Sequence, residues 1–135
     1  MKFRDVATEV GLAFTYFNGT VGNNLESLFE LDGGGVGALD YDLDGWPDLY
    51  LTQGGPLPSR QVTPPHNYQD RLFRNLDGKS FVDASIASRL DNKLYSQGLG
   101  VGDFDADGFP DLYVANIGTN VLYRNNGDGT SRLES

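Results

Sequence analysis

Nine residues, Asp40-Tyr41-Asp42-Leu43-Asp44-Gly45-Trp46-Pro47-Asp48, return 63 positions later as Asp103-Phe104-Asp105-Ala106-Asp107-Gly108-Phe109-Pro110-Asp111. Each copy sets carboxylates at positions 1, 3, 5 and 9 and a glycine at position 6. Carboxylates this close repel one another, and either protonate or gather a cation. A hard cation that takes six to eight oxygens meets that need, and calcium is the usual one. The glycine permits a sharp turn that points alternate side chains inward. Position 7, Trp46 or Phe109, is read as a backbone-carbonyl ligand, which leaves its side chain free to be aromatic. The bland reading is a pair of acidic surface turns without metal. An EF-hand is excluded, because it requires a glutamate at position 12 and flanking helices. Position 12 is Leu51 in one copy and Val114 in the other, each in a β-prone run.

The surroundings of the two loops repeat as well. Gly33-Gly34-Gly35-Val36-Gly37 leads into the first and Gly98-Leu99-Gly100-Val101-Gly102 into the second. A glycine-rich run can cradle phosphate at a helix N-terminus. Here it leads through a strand into four carboxylates, so the glycines are read as allowing close approach of neighbouring backbones. Leu49-Tyr50-Leu51-Thr52 and Leu112-Tyr113-Val114-Ala115 follow the loops as second strands. Arg71-Leu72-Phe73-Arg74-Asn75 and Val121-Leu122-Tyr123-Arg124-Asn125 are the third. Asp77-Gly78 and Asp128-Gly129 are hairpin signals. Phe81-Val82-Asp83-Ala84 is a fourth strand. Apolar residues fall on both faces of these strands, which predicts sheets covered on both sides.

Residues 3–12 resemble Phe81 to Ile86 and are expected to hold a strand, as are the β-prone residues 12–17. Asn18-Gly19-Thr20 has the form of an N-glycosylation acceptor and equally of a glycine turn. Asn23 to Leu31 reads as a short helix with Leu25, Leu28 and Phe29 on one face. The copies differ between their second and third strands: 24 residues separate Asp48 from Leu72, and 11 separate Asp111 from Leu122. The surplus lies within residues 53–69, with Pro56, Pro58, Pro64, Pro65 and the single histidine, His66. A stretch so rich in proline cannot pair in a sheet and is expected to project from the surface. It is either a partner-binding loop or a tolerated insertion.

Four-stranded repeats of this length suggest β-propeller blades. The expected fold is all-β: two four-stranded antiparallel propeller blades, a partial propeller, with calcium loops between first and second strands. The divisions are 1–32, N-terminal strands and linker; 33–97, blade 1 with the insertion 53–69; and 98–135, blade 2, incomplete. Two blades do not close a ring, so the chain is expected to be part of a longer propeller or to self-associate with other blades into a ring or filament.

Charge and composition narrow the functions. The formal charge is -9, which two calcium ions would bring to -5. Such a chain is a poor nucleic-acid binder. Without cysteine it has no disulfide, thiol chemistry or zinc-thiolate site. No apolar run approaches the about 18 residues of a transmembrane segment.

In these residues the chain resembles the FG-GAP/VCBS repeat proteins, the integrin-α-like β-propellers. It is most similar to the group whose longer members also carry an ASPIC/UnbV domain. Gly37 to Tyr50, Gly100 to Tyr113 and the Leu-Phe/Tyr-Arg-Asn tails carry the likeness. The resemblance implies two Ca2+ sites, one on Asp40, Asp42, Asp44, Trp46 and Asp48, the other on Asp103, Asp105, Asp107, Phe109 and Asp111. It also implies an extracellular or extracytoplasmic module with a structural or adhesive role and a protein or carbohydrate ligand. No enzyme is expected. The alternative, a fragment of a propeller-fold hydrolase, would rest on His66 in the proline-rich stretch.

Overall fold

A computed structural model describes residues 1–20, 28–57 and 68–134. His66, Pro58, Pro64, Pro65 and the first part of the helix expected from Asn23 lie outside the described residues. Its last part, Leu28–Leu31, is a single 3-10 turn.

Among the described residues eight strands form two four-stranded sheets. The first contains β1 (Val36–Leu39), β2 (Asp48–Leu51), β3 (Arg71–Leu76) and β4 (Ser80–Asp83). The second contains β5 (Ser96–Gly102), β6 (Asp111–Asn116), β7 (Val121–Asn125) and β8 (Ser131–Glu134). Both are antiparallel meanders in chain order, as propeller blades are. The acidic loops join β1 to β2 and β5 to β6, with Leu39 opposite Asp48 and Gly102 opposite Asp111. Asp77 and Gly78 turn β3 into β4 with φ of 54° and 69°, the pair of positive values a type I′ hairpin requires.

Leu72 and Phe73 are adjacent in β3 and both buried, so both faces of the first sheet are covered there. Leu39, Tyr41, Tyr50 and Leu72 join Leu112, Val114 and Tyr123 in one core shared by the sheets. The innermost strands β1 and β5 meet. A Cβ on Gly35 would lie 3.1 Å from the Gly98 Cα, and one on Gly37 would lie 2.2 Å from a Leu99 methyl. Close approach of neighbouring strands therefore accounts for these glycines.

Residues 3–17 are not strands, contrary to expectation. Their β-prone side chains find no backbone ladder. Instead the Gln53 side chain serves Thr15 and Phe17: its Nε2 donates to the Thr15 carbonyl and its Oε1 accepts from the Phe17 N–H. Residues 6–12 make a helical turn closed by a Schellman pair, Leu12 N–H to Ala7 O and Gly11 N–H to Thr8 O, with Gly11 at φ 90°. Residues 84–90 repeat it, with Leu90 N–H to Ser85 O and Arg89 N–H to Ile86 O. The likeness between residues 3–12 and the Phe81 segment is thus a likeness of the turn that follows a fourth strand. Both turns dock alike. Val10 O accepts from Phe81 N–H at the head of β4, and Ser88 O accepts from Ser131 N–H at the head of β8. At the glycosylation-like triplet, Asn18 accepts from Thr20 N–H and donates to the Glu30 carbonyl, an ordered turn.

Between the sheets sits one carboxylate that the sequence did not single out. Asp70 is fully buried and accepts from Tyr50 Oη (2.9 Å), Gln53 N (2.6 Å), Asn92 Nδ2 (3.1 Å) and Ser96 Oγ (2.8 Å). Burial pushes its pKa up to about 6 against the downward pull of these donors. The folded state therefore holds the proton more tightly than the unfolded chain, whose Asp titrates near 3.8. This group favours folding most below pH ~3.8 and loses up to about 3 kcal/mol as pH rises to ~6, with no change above.

Two outcomes follow from this architecture. Asp70→Asn removes the titration and an acceptor, so its stability deficit against the wild type, measured by chemical denaturation without calcium, is expected to be largest near pH 4 and to shrink by pH 7. A deficit independent of pH would refute the assignment. Gly11→Ala would put a Cβ 2.3 Å from the Phe81 carbonyl oxygen at a positive φ. It is expected to lose about 1–2 kcal/mol, with faster amide exchange at Phe81 as the local sign.

Candidate metal centre

Each acidic loop is bounded by strands, and its base is a buried aspartate. Asp48 opens β2 and is 1% exposed. Its Oδ2 accepts from Tyr41 N–H at 2.9 Å and its Oδ1 from Asn75 N–H at 2.7 Å. Asp111 accepts in the same way from Phe104 N–H and Asn125 N–H, each at 2.9 Å. Position 9 thus ties the loop to the second and third strands. Burial raises the Asp48 pKa, the two N–H donors lower it, and Asp42 and Asp44 raise it further.

The loop backbone explains how the remaining carboxylates converge. Gly45 and Gly108 have φ of 89° and 93°, and Leu43 and Ala106 are also left-handed at 56° and 60°. Position 1 then reaches across the turn: Asp40 accepts from Gly45 N–H at 3.0 Å and Asp103 from Gly108 N–H at 2.9 Å. Carboxylate oxygens of Asp40, Asp42 and Asp48 lie within 4.8 Å of one another, as do those of Asp103, Asp105 and Asp111. These are positions 1, 3 and 9 of the motif.

Asp44 and Asp107, at position 5, are not in these clusters. Asp44 accepts from Trp46 N–H and Asp107 from Phe109 N–H, at 2.9 and 3.0 Å. Their other oxygens face an arginine. Arg74 lies 2.5 Å from Asp42 Oδ2 and 3.2 Å from Asp44 Oδ2, and Arg124 pairs with Asp105 and, at 3.4 Å, with Asp107. Slight burial would lower the Arg74 pKa, but the two aspartate charges outweigh it and raise it.

The position-7 side chains have a packing task. A Cβ on Gly78 would lie 2.5 Å from the Trp46 ring, and one on Gly127 would lie 2.6 Å from the Phe109 ring. Each aromatic covers the glycine of the following hairpin, so loop and hairpin are fitted to each other.

One observation tests whether the first loop suits a cation. Asp40 Oδ1 and Asp42 Oδ1 are buried and receive no hydrogen bond, although each residue's other oxygen is engaged. Two buried anionic oxygens without donors are costly unless a positive charge meets them. The second loop is more open, and Asp107 N–H contacts both Asp103 Oδ1 and Asp105 Oδ1, at 3.0 and 3.3 Å. Oxygen-only donors of this kind suit a hard divalent cation.

Sequence reasoning missed Arg74, Arg124, Asn75 and Asn125. The repeated Arg-Asn pair was visible, but its role depends on which strand lies beside the loop. Asn75 Nδ2 donates to the Pro47 carbonyl, and Asn125 Nδ2 donates to those of Pro110 and Tyr41.

No curated protein and no solved structure matches the chain. A model of the FG-GAP-like repeat matches residues 40–114 and again residues 103–135, so both acidic loops and every strand after β1 fall inside it. The matches together run over more than half of the chain, and the protein belongs to the FG-GAP-like repeat family.

Proposed function

We propose that this is a calcium-binding FG-GAP module with a structural or adhesive role outside the cytoplasm, built to present a surface to a protein or carbohydrate partner. The observation that carries it is the pair of orphaned oxygens of Asp40 and Asp42 within a carboxylate cluster that recurs at Asp103, Asp105 and Asp111. One Ca2+ in each loop would take Asp40, Asp42 and Asp48, or Asp103, Asp105 and Asp111. Asp44 and Asp107 and the carbonyls of Trp46 and Phe109 would complete the sets. The ion would neutralise like charges and tie the loop to the second strand. The two blades are taken as the β1–β4 and β5–β8 sheets, so the division falls before Ser96 and not after residue 97, with 1–32 preceding them. The reading is non-catalytic, and it is supported by the family's usual role as a repeat module. Among the described residues no helix is long and apolar enough to cross a membrane.

Association with further blades belongs to the same reading. Equivalent positions in the two sheets differ in burial. Tyr41 is 4% exposed and Phe104 is 56%; Tyr50 is 0% and Tyr113 is 39%. Gly35 and Gly37 face Gly98 and Leu99, whereas Gly98 and Gly100 have nothing within 4 Å of a built Cβ. The second sheet therefore offers an uncovered face of the shape that the first sheet covers with its neighbour. A second copy of the chain is the occupant proposed.

If metal binds only the folded form, a hundredfold excess over Kd adds about 2.7 kcal/mol per site. Extracellular calcium modules bind at about 10⁻⁴ to 10⁻³ M, so millimolar Ca2+ is expected to raise Tm and EDTA to reverse the rise. Asp42→Asn is expected to remove most of the first site's share. Thermal melts that ignore EDTA would sink the metal reading. For assembly, multi-angle light scattering is expected to give a mass above 14.7 kDa that grows with concentration. A monomer at every concentration tested would rule out self-association.

A further inference from the structure

Each loop already contains a cation of its own, and it is a side chain. Arg74 projects from β3 and Arg124 from β7, one strand removed from the loop each serves. Arg74 Nε lies 2.5 Å from Asp42 Oδ2, while Asp42 Oδ1 is buried without a partner. The guanidinium therefore engages one oxygen of a proposed ligand and leaves its mate for something else. Its second arm holds Asp44, the acid that stands outside the carboxylate cluster. Arg124 takes the equivalent pair, Asp105 and Asp107, in the second loop, there through the one nitrogen Nη2.

We propose that Arg74 and Arg124 are resident counter-cations of the calcium loops: they keep each loop folded without metal and set its metal affinity low. The inference rests on the metal reading above. The physics has two parts. Without metal, four carboxylates within nine residues repel, and a guanidinium placed between two of them relieves both. With metal, the same positive charge beside a divalent ion repels it and competes for carboxylate lone pairs. The two effects oppose each other, so the arginine trades affinity for stability of the metal-free state. Arg124 is shared with Glu134 Oε1 at 4.0 Å, so its charge is partly spent elsewhere and its effect is smaller than that of Arg74.

The chain's single tryptophan, Trp46, sits in the first loop, so Tb3+ luminescence excited at the red edge of tryptophan absorption, where tyrosine does not absorb, would report that loop. Displacement of Tb3+ by Ca2+ then gives the Ca2+ affinity of the first site. Arg74→Met is expected to tighten Ca2+ binding about tenfold and to lower Tm in EDTA. Arg74→Gln removes the charge with a smaller change of shape and is expected to behave alike, should the methionine variant not fold. Arg74→Lys keeps the charge and is expected to stay near wild type in affinity. Equal or weaker Ca2+ binding in the charge-removing variants would overturn the proposal, as would a lysine variant that gains as much as they do. Absence of Tb3+ signal in wild type and variants alike, with melts unaffected by EDTA, would instead overturn the metal reading and take this proposal with it.

Discussion

The structure depends on how it disposes of eight clustered negative charges. Four aspartates in nine residues would force an isolated peptide open. Here each loop divides the problem by position. Position 9 goes inside and receives two backbone N–H groups, one from its own loop and one from the third strand. Those bonds are what align the loop with the sheet. Position 5 goes outward to an arginine and folds back on the N–H of position 7. Positions 1 and 3 face the interior of the turn, and in the first loop two of their oxygens remain without a donor. The strands beside the loop are therefore constrained by its electrostatics as much as by their own apolar pattern.

The second level is the repeat. The chain uses one set of loop and strand positions twice, and their surroundings differ by what lies alongside. Tyr50 donates to Asp70, and Tyr113 accepts from Asn120 at the equivalent place. Where the neighbouring sheet covers the site, the acceptor is a carboxylate with four donors. Where it does not, the tyrosine hydroxyl is itself the acceptor, of a neutral amide N–H from Asn120. Tyr41 likewise reaches Ser131 Oγ at 2.7 Å and receives Asn125 Nδ2 on its carbonyl, spanning from the first loop into the second sheet. Burial by that sheet raises its hydroxyl pKa to about 12. Phe104 at the matching position has no hydroxyl and stays exposed.

Much of this was legible in the sequence because it repeats. The strands, their order, the hairpins and the loop positions followed from two copies that checked each other. What failed was the segment without a second full copy beside it. Residues 3–17 look like strands by residue type, but a strand needs a ladder, and the sequence does not say whether one is available. Phe81 to Leu90 did contain the correct analogue, since the turn after Asp83 is the one residues 6–12 adopt. Asp70 was not legible at all. It precedes Arg71 as an ordinary polar residue, and only the packing of Asn92 and Ser96 against it makes it central. The arginines were seen as part of a repeated tail, but the antiparallel pairing of β2 with β3 is what brings Arg74 over Asp42.

The same pairing decides where an ion would act. A cation in the first loop would sit where β1 ends and β2 begins, beside the aspartate that holds the head of the hairpin through Asn75. Trp46 packs on the glycine of that hairpin, so the loop, the second strand and the β3–β4 turn are one mechanical unit. Tyr41 extends the unit to the neighbouring sheet through Ser131 and Asn125. An ion that neutralised the two orphaned oxygens would therefore act on a unit that also contacts the neighbouring sheet. The motif stands at a corner of the sheet that touches both the hairpin, through Trp46, and the neighbouring sheet, through Tyr41.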